Sequence, residues 1–142
     1  MTGTRRRGPA LLVAAAGGLL ATGALLPWVS FYAGLVNHSG LRGPYGRILL
    51  VAGVLLVLVG LGQAIRGRQL PSRPLAVLGV ALAVITGWLA AGLMETRTML
   101  ATEPLLVGAV GPGIPVAVAG TLLFLLAILA GRRWHGVPHR GG

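Results

Sequence analysis

The sequence predicts an all-α integral membrane protein: a four-helix bundle, running up and down, with both termini inside. Three observations predict it. The chain has 142 residues, of which 55% are hydrophobic and 10% charged, whereas a soluble domain carries about a quarter charged residues. Four long apolar runs contain no charge at all. The twelve basic residues, all arginine, gather at alternate ends of those runs.

The runs are residues 10–26 (ALLVAAAGGLLATGALL), 48–65 (ILLVAGVLLVLVGLGQAI), 75–94 (LAVLGVALAVITGWLAAGLM) and 114–130 (IPVAVAGTLLFLLAILA). With their flanks they predict spans at about 10–28, 46–65, 74–94 and 113–130. Each is close to the ~20 residues that cross a hydrocarbon core of ~30 Å. No polar face recurs at helical period, so these are not surface helices. Backbone groups in lipid must be bonded within their own segment, which favours helices. A cleaved signal peptide is the rival reading for the first run. That run is long for such a segment, and no A-x-A site precedes Leu26-Pro27-Trp28. Residues 1–9 form an Arg-rich leading end and 131–142 a basic tail.

Arginine placement orients the spans. Arg5, Arg6 and Arg7 precede span one, Arg66, Arg68 and Arg73 separate spans two and three, and Arg132, Arg133 and Arg140 follow span four. The opposite side holds only Arg42, Arg47 and Arg97, so the count is nine against three. The positive-inside rule makes the termini and the middle loop cytoplasmic, in the plasma (inner) membrane of a bacterium. Both acids, Glu95 and Glu103, fall outside. The short middle loop RGRQLPSRP predicts an antiparallel hairpin of spans two and three, with Ser72 and Pro74 as start signals. Two longer outer loops carry Trp28, Phe31, Tyr32 and Tyr45, rings suited to headgroup depth, and Trp134 suits the inner interface.

Helices in lipid associate through close backbone contact at small residues. Gly79, Ala83, Gly87 and Ala91 form such a row on span three, and Ala10, Ala14, Gly18 and Thr22 on span one. The rows serve a packed bundle or a homo-oligomer.

The spans hold almost no chemistry. Gln63, Thr86 and Thr121 are their notable polar groups. A proton relay or ion-coupled carrier needs an ionisable residue in the membrane, and none is present. The net charge of +10 finds its counter-charge in anionic headgroups of the bilayer. No nucleic-acid recognition module is visible, so nucleic acid is not expected as a partner. There are no cysteines, which excludes disulfides and thiolate chemistry. His38 stands alone on the outer side, with Glu95 and Glu103 distant in sequence, short of a metal set or a catalytic base with its partners. His135 and His139 read as part of the cationic tail. No catalytic, metal or cofactor residue is therefore assigned, and no cofactor is expected.

Asn37-His38-Ser39 matches an N-glycosylation tripeptide that recurs by chance. GLRGPYGR at 40–47 lacks the strand and the lysine of a phosphate cradle and reads as turns before span two. GAVGPGIP at 108–115 does the same before span four, and PLLVGAV at 104–110 is too short to span. An ion pair from Glu95 to Arg42 or Arg47 is expected to tie the outer loops together. Trp28, His38, Tyr45 and Arg47 are the candidate outer-loop contact residues.

The Arg-rich start, the Ala/Gly/Leu first span ending in Leu26-Pro27-Trp28, the Gly-rich outer loop and the closing GRRW at 131–134 resemble uncharacterised small four-span membrane proteins of actinobacteria. They are loosely similar to the conserved membrane protein found beside tryptophan-synthesis genes in that group. The absence of Lys beside abundant Ala, Gly, Leu, Val and Arg reads as the codon bias of a high-GC bacterium. Claudins also have four spans and a Trp in the first outer loop, but this chain lacks their cysteine pair and GLW motif.

Two functional readings follow. The first is a non-enzymatic accessory or scaffold subunit of a membrane assembly, acting on a membrane-protein partner through its outer loops and helix faces. The second is a small oligomeric transport or permeability protein. A membrane enzyme acting on lipid-linked substrates through His38 is the weakest, because its constellation is incomplete.

Overall fold

A computed structural model of the chain describes residues 7–31, 36–66, 72–102 and 108–133. Expectations for Arg5, Arg6, Tyr32, Arg68, Glu103, Trp134, His135, His139 and Arg140 lie outside them, as does most of the middle loop.

Four helices carry the fold: α1 (Arg7–Leu25), α2 (Pro44–Arg66), α3 (Ser72–Thr102) and α4 (Gly113–Arg133). All four are long and apolar enough to cross a membrane. Helix α1 stops before Pro27, short of the expected 28, because the residue preceding a proline is pushed out of helical geometry and proline has no N–H to donate. Helix α3 runs past the spanning stretch Arg73–Glu95 as far as Thr102. Its 31 residues make it roughly 46 Å long at 1.5 Å per residue.

The packing order is α2–α1–α4–α3. Helix α1 lies between α2 and α4, and α3 rests on α4. The expected α2–α3 hairpin is thus corrected: these helices are neighbours in sequence but make no comparable contact. Glycine explains the order. A Cβ on Gly53 would come within 2.6 Å of the Ala21 nitrogen and 2.7 Å of the Gly17 carbonyl oxygen, and one on Gly60 within 2.7 Å of the Ala10 oxygen. On the other side of α1, Gly23 meets Ala117 and the Gly113 carbonyl, and Gly120 meets Leu20 and Ala16. Only bare glycine lets these backbones come so near, and such contact is what holds helices together in lipid. The centre is filled by Leu20, Leu49, Leu56, Leu82 and Phe124, all fully buried.

Within the chain, only part of the four-residue row on α3 meets a neighbouring helix. Gly79 lies against Phe124, Leu125 and Ile128 of α4, whereas Gly87 has open space around it. Ala83 is half-buried and Ala91 exposed. A four-residue step advances about 40° around a helix, so the row rotates off its neighbour; a seven-residue step falls back only about 20°. Gly46, Gly53 and Gly60 on α2 are seven apart and all buried. On α1, Ala10 and Ala14 meet Gly60 as their row implies, but Gly17 rather than Gly18 makes the close approach to α2.

Polar side chains in the helices are mostly satisfied locally. Thr86 Oγ1 donates to the Leu82 carbonyl at 2.7 Å, and Thr121 Oγ1 to the Ala117 carbonyl at 3.1 Å. Gln63 Nε2 is buried without a hydrogen-bond partner among the described residues.

At one end, a small antiparallel sheet caps the bundle. Strand β1 (Pro27–Phe31) lies between β2 (Val36–Ser39) and β3 (Gly108–Val110). The sheet was not expected, and β2 corrects the reading that no strand precedes residues 40–47; the lysine of a phosphate cradle is still lacking there. The sheet joins the two long loops through backbone hydrogen bonds, pairing Val29 with His38 on one side and with Val110 on the other.

Candidate functional site: the cap around Trp28

The cap is built outward from the end of α1. The Leu26 N–H donates to the Thr22 carbonyl at 3.0 Å, and β1 begins at Pro27. The β1–β2 register shifts between Pro27 and Val29, which makes Trp28 the irregular position. A bulge of this kind redirects a side chain. Here the indole Nε1–H donates 3.0 Å to the carbonyl of Gly23, back in the last turns of α1.

The ring fits between two glycines. A side chain on Gly40 or Gly113 would overlap the indole. Gly40 opens the 3-10 turn (Gly40–Arg42) that leads into α2, and Gly113 opens α4. The Gly111 N–H donates 2.9 Å to the Trp28 carbonyl. One residue therefore fastens the end of α1, the entry to α2 and the entry to α4.

The entry to α2 is equally tight. Gly46 packs on the carbonyl of Gly40, with no room for a Cβ. The Arg47 Nε–H donates 3.1 Å to the Leu41 carbonyl. Tyr45 turns its ring to Trp88 of α3, with centroids 5.0 Å apart and planes inclined by 51°. This aromatic contact bridges α2 and α3.

The four candidate contact residues fall on or beside this cap but differ in posture. Trp28 is half-buried and bonded inward, while His38, Tyr45 and Arg47 are exposed. The expected ion pair from Glu95 to Arg42 or Arg47 is absent among the described residues, and Arg47 uses Nε on its own entry turn instead. Packing accounts for this: α3, which carries Glu95, sits on α4 rather than on α2. Among the described residues no three histidine or acidic side chains gather where a metal ion could sit.

The cradle of Gly23, Gly40, Gly111 and Gly113 was not read from the sequence as a unit. Its glycines look like ordinary turn formers, and nothing local says that one ring joins them. The sheet did leave a signal. The short runs Pro27–Phe31 and Val36–Ser39 carry β-branched and aromatic residues on either side of a glycine-containing link, a hairpin pattern.

Four helices able to cross a membrane, capped at one end by a three-stranded sheet, define a multi-pass helical membrane protein. No protein-family model, curated protein or solved structure matches the chain.

Proposed function

We propose that the protein is a non-enzymatic accessory or scaffold subunit of a membrane assembly, which meets its partner through the cap. The observation that carries this reading is the cap itself. It is a surface tied down at Trp28, presenting exposed His38, Arg42, Tyr45 and Arg47 beside apolar runs that contain no charge. Its inner side is used up in holding helices, which leaves the outer face for recognition.

The proposal includes the threading: an up-and-down bundle in a bacterial plasma membrane, both termini cytoplasmic, the cap outside. Arginine counts support the orientation. Residue contacts support the direction, since Gly53 and Gly60 meet successively earlier parts of α1, and Gly113 and Gly120 do so as well. Kinship with the small four-span proteins of actinobacteria belongs to the same proposal.

The test is gentle affinity purification of the tagged full-length protein from native membranes, with mass spectrometry of what accompanies it. A stoichiometric partner is expected, reduced by His38→Glu combined with Arg42→Glu and kept by Gly87→Ala. A clean homo-oligomer without any partner would overturn the reading and favour the transport alternative, which flux assays in liposomes would then address.

A further inference from the structure

We propose that a cleft between α3 and α4 holds one acyl chain of an anionic phospholipid, with the lipid phosphate on Arg97. This rests on the helices spanning a membrane, and not on which side the cap faces or on the partner proposed above.

The cleft arises from uneven packing. Near Gly79 the two helices are close, and a Cβ there would come within 2.9 Å of Ile128 Cδ1. Toward the cap end, Leu93 and Met94 of α3 and Ile114, Val118 and Leu122 of α4 line an open cleft of about 390 Å³ that also includes Arg97. That volume lies within the ~300–1,000 Å³ of small-molecule sites. Its wall is apolar except for Arg97.

Depth and charge select the occupant. Arg97 lies two residues beyond Glu95, where the spanning stretch of α3 ends, so its guanidinium is at headgroup level. It makes no ion pair with a described residue, and Glu95 is about 200° away around the helix. The same mouth receives the first turn of α4, whose N-terminal dipole is positive. An apolar slot with a cationic rim at headgroup depth fits a chain with an anion at its end. The cleft lining holds an arginine and no acid, so a second copy presenting the same lining would meet it with like charge. Arginine also grips phosphate oxygens in pairs, which a point charge does not.

Native mass spectrometry of the full chain tests this, with protein released from detergent containing equal phosphatidylglycerol and phosphatidylcholine. The wild type is expected to retain one phosphatidylglycerol. Arg97→Gln should reduce its preference for that lipid about fivefold, Arg97→Lys should fall between Arg97→Gln and the wild type because it keeps the charge and loses the paired grip, and Arg42→Gln should leave it unchanged. Ala119→Phe, which fills the cleft from α4, should remove retention of both lipids while circular dichroism stays that of the wild type. Equal loss from Arg97→Gln and Arg42→Gln would show diffuse charge attraction and overturn the proposal. Undiminished retention by Ala119→Phe would overturn it as well.

Discussion

Trp28 illustrates how one residue takes on a role that its neighbours in sequence do not announce. As a ring next to an apolar run it reads as an interface anchor. In the fold its N–H is bonded to the carbonyl of Gly23 and its ring lies against Gly40 and Gly113. Trp28→Phe keeps an aromatic ring but removes the donor, leaving the carbonyl without that bond. A neutral hydrogen bond contributes about 1 kcal/mol net, and the loss should appear as a lower unfolding midpoint in mild detergent, followed by circular dichroism. An unchanged midpoint would mean that the indole bond contributes nothing to the cap. Arg47 teaches a related lesson. The sequence offers it Glu95 across the loops, yet in the fold its Nε–H donates to the carbonyl six residues back.

At the scale of the helix, glycine spacing decides which faces meet. Gly53 and Gly60, seven apart on α2, keep one edge toward α1 over about two turns, while the four-residue series on α3 has turned away by Gly87. Gly53→Ala should therefore destabilise by ~1–3 kcal/mol through overpacking. Gly87→Ala, with open space around it, should be neutral or stabilise by up to about 1 kcal/mol from helix propensity. Thermal unfolding of both variants in the same detergent makes the comparison. Equal effects would show that the α1–α2 contact is looser than its geometry implies. The sheet belongs to this scale too. Its strands are three to five residues long, too short for alternation to stand out. The pairing that stabilises them joins loops nearly eighty residues apart, a contact no local pattern reports.

For the whole molecule, the remaining question is which way the bundle faces. Because the chain has no cysteine, a single introduced thiol reports one position unambiguously. His38→Cys should react with a membrane-impermeant maleimide added to intact cells, and Gln69→Cys should react only after permeabilisation. The reverse pattern would invert the proposed orientation.

The presence, number and approximate limits of the membrane helices were legible in the sequence. Hydrophobic length and the exclusion of charge are local properties, and lipid enforces them one segment at a time. Tertiary structure alone decided that α1 is the central helix, that α3 is held by α4 rather than α2, that a sheet closes the cap, and that Trp28 locks it. These outcomes depend on which bare glycine backbones come face to face. In a chain with 24 glycines, sequence supplies many candidates for such contact and only the packed helices choose among them.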